Sequence, residues 1–170
     1  MMVGTPPVVS IVSKKGAGKT TLIEKLIPHL KDRGFRVGTV KHDTHGFDID
    51  HEGKDTWRHK QCGAEIVAIS SPWKISVIKD VAEEMALDSI VAQYFGGMDL
   101  VLTEGYLRAG KPQIEVFRNA RHAKPLYSPG DTGSLAALMA DSEIDLGVPW
   151  FHVDDIPALG DFIATRFLAR

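Results

Sequence analysis

The stretch Val8-Val-Ser-Ile-Val-Ser-Lys-Lys-Gly-Ala-Gly-Lys-Thr-Thr-Leu-Ile23 decides how the rest of the chain is read. Its first five residues are a short β-branched run, the composition of a strand buried on both faces. Small and cationic residues follow, and then Leu22, Ile23, Leu26, Ile27 and Leu30 recur at the spacing of one helix face. Strand, glycine loop and helix therefore follow one another within about thirty residues. Gly34 closes the helix, and Arg36 to Lys41 reads as a second strand, so the chain opens with a βαβ unit. Pro28 is expected to cost that helix some regularity.

The loop carries the second half of the P-loop pattern intact, Gly18-Lys19-Thr20, with Ser13 at the position of the first glycine. A glycine loop that feeds a helix points backbone N–H groups and the positive end of the helix at one anion. Lys15, Gly16, Ala17, Gly18, Lys19, Thr20 and Thr21 are thus the expected phosphate contacts. Lys19 is expected on the β- and γ-phosphates and Thr20 on a magnesium ion. The bland alternative is a glycine turn that merely starts a helix, and the strand before it argues against that.

Further along, helices are predicted from about Lys54 to Cys62, from Val81 to Phe95, and from Ile156 to the end. Strands are predicted near Glu65 to Ile69, Lys74 to Ile78, Asp99 to Glu104, Gln113 to Phe117, Leu135 to Met139 and Trp150 to Val153. The pattern is α/β: a mostly parallel central sheet flanked by helices, with additional antiparallel strands, in a single domain over residues 1–170. Asp99 and Glu104 bound one strand and lie roughly 16 Å apart at ~3.3 Å per residue, so they cannot serve the same ion. Ligands of parallel sheets collect at the carboxyl ends of strands, which selects Glu104 as the metal-site acid and leaves Asp99 to cap or start the strand. Asp43, and with it Asp48, follows the second strand where a water-orienting catalytic group is wanted.

The segment His42 to Gly53 gathers three histidines and four acids in a stretch too polar for the core. A metal site, a solvated loop and a nucleotide- or substrate-facing switch loop are all open, and the spacing matches no standard zinc or calcium loop. Trp57, Arg58 and His59 line a ligand pocket or simply pack. Arg108, Lys111 and Arg118 are ordinary surface cations or anion contacts. At 170 residues with 44% hydrophobic composition, the chain has enough for one core. Twenty basic against 22 acidic residues, a formal charge of -2, give no broad footprint for nucleic acid or membrane. The one cysteine, Cys62, excludes a disulfide framework and is expected to be a buried thiol. With no apolar stretch of membrane-spanning length, a cytoplasmic protein is expected.

Five pieces of the sequence together resemble one family. They are Gly18-Lys-Thr-Thr-Leu22, Val40-Lys-His-Asp-Thr-His-Gly-Phe-Asp-Ile-Asp50, Gly53-Lys-Asp-Thr-Trp-Arg-His59 with Gly63-Ala64, Leu100-Val-Leu-Thr-Glu-Gly-Tyr106 and Ile114-Glu-Val-Phe-Arg118. The family is MobB, of molybdopterin-guanine dinucleotide biosynthesis. The resemblance implies a GTP-binding protein with weak GTPase activity that assists the nucleotidyltransferase MobA in attaching GMP to molybdopterin. It also implies GTP and Mg²⁺ as cofactors, a homodimer with an extended sheet, and contact with MobA or molybdoenzyme chaperones. The chain departs from the family at Ser13, where glycine is usual, which bears on loop geometry and not on the lysine and threonine roles. The Asn-Lys-x-Asp guanine motif of small GTPases is absent, and Asp141 after the Leu135 to Met139 strand is the position for reading guanine or an ordinary strand-ending acid. A small-molecule or nucleotide kinase stays open, as does an ATP-switched dimeric adaptor, for which Lys14 occupies the signature position of partitioning ATPases.

Overall fold

In chain order the elements are β1 (Val8–Val12), α1 (Lys19–Asp32), β2 (Val37–Lys41), α2 (Asp55–Gln61), β3 (Ile66–Ser70), β4 (Ile75–Lys79), α3 (Leu87–Tyr94), β5 (Leu100–Glu104), β6 (Gln113–Phe117), β7 (Leu135–Ala140), β8 (Trp150–His152) and α4 (Ile156–Ile163). The last of these runs on as a π-helical turn over Ala164–Leu168. This is a computed structural model, and it describes residues 4–130 and 133–168. The chain divides into two units, Met1–His42 with Leu87–Arg170, and Asp43–Ala86.

The first unit is a six-stranded parallel sheet in the order β2-β5-β1-β6-β7-β8. Every residue of β1, β6 and β7 is buried, as strands covered on both faces must be. Leu22, Ile23, Leu26 and Leu30 of α1 and Ile156, Leu159 and Ile163 of α4 close one face over Val9, Ile11, Leu102, Ile114 and Met139. Leu87 and Val91 of α3 pack on Val8 and Val101 from the opposite face, beside a second cluster of Phe117, Leu135 and Leu138. Between β1 and β5 the sheet interior holds a polar pair, in which Thr103 donates a 2.9 Å hydrogen bond to its register partner Ser10.

The mostly parallel sheet, the flanking helices and the extra antiparallel pair agree with the sequence reading. Two details differ. α3 begins at Leu87 and not at Val81, because residues 81–84 are exposed and offer no apolar stripe for a helix to bury. Cys62 is exposed, since it caps the C-terminus of α2, a helix with no buried residue. α1 continues unbroken through Pro28.

In the second unit β3 and β4 form an antiparallel hairpin against which α2 packs. Val67 is its one buried hydrophobic residue.

Candidate functional site

The phosphate loop leaves the carboxyl end of β1 and reaches α1 through Gly16 and Gly18, both at positive φ (80° and 107°). Alternating left-handed glycines of this kind turn successive N–H groups to one side. Gly18 is the N-cap of α1, with no side-chain cap and no acidic residue in the first turn, and the first helical bond runs from Leu22 N to Gly18 O (3.0 Å). The N–H groups of Lys19, Thr20 and Thr21 therefore have no intrahelical acceptor, and the positive end of a 14-residue helix is left for an anion.

Ser13 is compatible with this geometry. Among the described residues only Tyr106 combines a side chain with positive φ, so the loop does not require glycine at position 13. Its hydroxyl donates to Lys14 O (2.7 Å) and accepts from Lys19 Nζ (3.0 Å), which holds the lysine along the loop. Lys15 and Gly16 are exposed, and Ala17 is buried under the loop.

Strand pairing brings in the acid. β5 lies beside β1 with Glu104 opposite Ile11, and Gly105 N donates to Ile11 O (3.0 Å). The Thr20 hydroxyl sits 3.0 and 3.1 Å from the two carboxylate oxygens of Glu104. Asp99, at the other end of β5, accepts from Arg36 N (2.8 Å) and so ties the start of β5 to the start of β2.

Other candidates are placed as follows. Asp43 opens the second unit, where its carboxylate accepts from His45 N (2.9 Å) in a local turn. In the same unit Asp50 accepts from His51 N and from the Thr56 hydroxyl, joining the histidine loop to α2. Among the described residues no group of three or more His, Cys, Asp or Glu is gathered as a metal site. Asp141, just past β7, accepts from Asn119 N (3.0 and 3.1 Å) and Asn119 Nδ2 (3.1 Å). Lys111 pairs with Asp88 (2.5 Å) and Arg108 is exposed.

Arg118 is better placed than its reading as a surface cation implied: its Nε donates to Ala17 O (3.2 Å), in the phosphate loop. His122, unremarked in the sequence, contacts Lys15 O through Nε2 (2.9 Å), and Lys14 Nζ reaches Lys124 O (2.7 Å). The only sequence signal was the Ile114-Glu-Val-Phe-Arg118 block. It named Arg118 without showing that β6 runs next to β1.

A central parallel strand that feeds a glycine loop and a helix, with an acid-ended strand beside it, makes this a P-loop NTPase fold. The chain belongs to the family described as molybdopterin guanine dinucleotide synthesis protein B, whose model matches residues 8–141. It is 33% identical over 158 residues to the molybdopterin-guanine dinucleotide biosynthesis adapter protein of Haemophilus influenzae, covering 92% of this chain and 87% of that one. The corresponding adapter protein of Escherichia coli is 32% identical over 160 residues, covering 92% and 91%. Among solved structures, a crystal structure of molybdopterin-guanine biosynthesis protein B superposes with a TM-score of 0.72 at 34% identity, covering 93% of this chain and 97% of that one. No helix among the described residues is long and apolar enough to cross a membrane.

Proposed function

We propose that this chain is a cytoplasmic GTP-binding adapter of molybdopterin-guanine dinucleotide synthesis. In this reading residues 1–170 form one GTP-binding domain with weak GTPase activity, and the chain works as a homodimer. It assists a MobA-like nucleotidyltransferase that attaches GMP to molybdopterin. Relatives that cover most of the chain and are named as adapters in this synthesis support the pathway. The observation that carries the nucleotide site is the meeting of an uncapped helix N-terminus, Lys19 and the Thr20–Glu104 pair at the end of β1.

In this reading Lys19 exchanges the Ser13 hydroxyl for the β- and γ-phosphate oxygens, and the first-turn N–H groups take the rest of the charge. A hydroxyl and a carboxylate are hard oxygen donors suited to Mg²⁺, so Thr20 and Glu104 hold the ion, directly or through water. When bound, Mg²⁺ supplies charge neutralisation on the phosphates. Asp43 is the residue proposed to orient the attacking water. Asp141 reads guanine: N1–H and N2–H are donors that would compete with the Asn119 N and Nδ2 bonds already made to the carboxylate.

Titration of the purified protein with GTP and ATP in Mg²⁺, with Lys19→Ala as the blank, tests the reading. The expected result is a preference for GTP that is lost with Lys19 and weakened in Asp141→Asn. Equal or tighter ATP binding would keep the phosphate site and sink the guanine assignment. Adding the nucleotidyltransferase and molybdopterin is expected to accelerate GTP turnover. Nucleotide-dependent association with unchanged turnover would remove the GTPase part and leave an adaptor.

A further inference from the structure

The segment after β6 is tied to the sheet more firmly than its irregular backbone implies. Asn119 N is held by Asp141. Leu126 N (2.6 Å) and Tyr127 N (3.4 Å) donate to the carboxylate of Glu115, and the Tyr127 hydroxyl lies 2.5 Å from Gln113 Oε1. Glu115 and Gln113 are each 1% exposed, two polar residues inside an otherwise apolar strand. Such groups are retained in a core only where their hydrogen bonds are made, and here three of the bonds hold the segment after β6 while Gln113 Nε2 donates to Leu107 O (2.7 Å) before it. Arg121 N and His122 N both donate to Arg118 O (3.0 Å each), a turn that sets the Arg118 and His122 side chains next to each other.

Those two side chains grip the phosphate loop by two carbonyls, Ala17 O and Lys15 O. The Nε2 of His122 must be the donor, because a carbonyl only accepts. Ala17 C=O and Gly18 N–H belong to one peptide group, as do Lys15 C=O and Gly16 N–H, and no peptide bond among the described residues is cis. In a trans peptide the carbonyl and the N–H point to opposite sides. Holding both carbonyls toward the segment after β6 therefore turns both glycine N–H groups the other way.

We infer that Arg118 and His122 are positioning residues of the phosphate loop, which fix the Ala17–Gly18 and Lys15–Gly16 peptides so that the N–H groups of Gly16 and Gly18 face the phosphates before any ligand arrives. The inference rests on the proposed nucleotide site and adds to it a brace that lies outside the Gly18-Lys19-Thr20 motif. Gly16 and Gly18 are free to rotate their peptides in the absence of such anchors, because glycine occupies both signs of φ without steric cost. Orienting donors ahead of binding removes an ordering cost that would otherwise weaken affinity.

The experiment compares Arg118→Met, His122→Leu and His122→Gln with the wild type and Lys19→Ala. Mg-GTP affinity is measured by titration, fold by thermal melting, and the backbone amide signals of Gly16 and Gly18 by NMR in the ligand-free protein. The expected result is roughly tenfold or greater weakening in Arg118→Met and His122→Leu, with the melting temperature kept and both glycine amide signals moved. His122→Gln, whose side-chain amide still donates, should recover affinity and signal position together. Wild-type affinity in Arg118→Met and His122→Leu, beside a dead Lys19→Ala, overturns the brace and leaves the nucleotide site standing. Weakened binding with unmoved amides also overturns it, because the side chains then touch phosphate directly. A wild type that binds no nucleotide overturns both readings. Should Arg118→Met fail to fold, the two His122 variants decide the matter alone.

Discussion

At the scale of single residues, placement was readable where a motif fixes both the residue and its surroundings. Lys19→Ala is expected to weaken Mg-GTP binding by about 2–3 kcal/mol, roughly a hundredfold, because a charge-assisted contact to phosphate is removed. Its fold should survive, since among the described residues the ammonium hydrogen-bonds only the Ser13 hydroxyl. Isothermal titration with a melting curve reads both. The placement of Glu104 beside the end of β1 was legible in sequence because carboxyl ends of parallel strands share one edge, and its register opposite Ile11 shows that placement. The burial of Glu115 was hidden, because Ile-Glu-Val-Phe reads as an alternating half-exposed strand until the segment after β6 is known to meet its carboxylate. Burial pushes the Glu115 carboxyl above the ordinary carboxylate value, against the Leu126 and Tyr127 N–H groups and the Lys14 ammonium. A raised folded-state pKa gives stability that is complete below the unfolded value and is lost as pH rises through the folded one. Wild-type stability relative to Glu115→Gln is therefore expected to fall with rising pH from the acid side. Urea denaturation of both proteins across that range checks the sign, and a wild type that gains stability relative to Glu115→Gln as pH rises contradicts it.

At the scale of elements, apolar periodicity located nearly every helix and strand, and it erred where a segment had no face to bury. Residues 81–84 resemble a helix start in composition but are exposed, and α3 waits for Leu87 and Val91. Helix packing adds constraints that no periodicity shows. A Cβ on Gly160 of α4 would stand 2.3 Å from His29 Cδ2 and 2.5 Å from Nε2 on α1. On β2, a Cβ at Gly38 would stand 2.3 Å from the Phe95 ring. Replacing an interior helical glycine by alanine ordinarily gains about 0.5–1 kcal/mol. Overpacking costs about 1–3 kcal/mol, so the clash wins and Gly160→Ala and Gly38→Ala are both expected to lower the melting temperature. Gly96→Ala, with nothing within 4 Å of its Cβ, should leave it unchanged. Equal melting of all three variants would show that the His29 and Phe95 rings swing aside freely.

At the scale of the whole molecule, the second unit has more apolar surface than it can cover by itself. Register pairs Ile66 with Lys79, Ala68 with Val77 and Ser70 with Ile75, and these six residues share one face of the β3–β4 hairpin. Val67 and Ile78 lie on the other face. On the first face Ile66, Ile75 and Val77 are 55%, 68% and 46% exposed, and Trp73 in the connecting turn is 92% exposed. The sequence predicted these strands but not how much of them stays exposed, because a β-branched run looks the same whether a helix or another chain covers it. Contiguous exposed apolar residues on a sheet are a site of association, and a symmetric dimer uses the same patch from both copies. If the proposed homodimer is formed through this face, Ile75→Glu with Val77→Glu places four new negative charges in the interface, two from each copy, and desolvating them is costly. The pair is expected to convert a sedimenting dimer into a monomer while each chain still binds Mg-GTP, since Lys19, Thr20 and Glu104 belong to the other unit. Analytical ultracentrifugation of both proteins at matched concentration reads the outcome. A wild type that sediments as a monomer removes the homodimer, and a doubly substituted chain that stays dimeric moves the interface elsewhere.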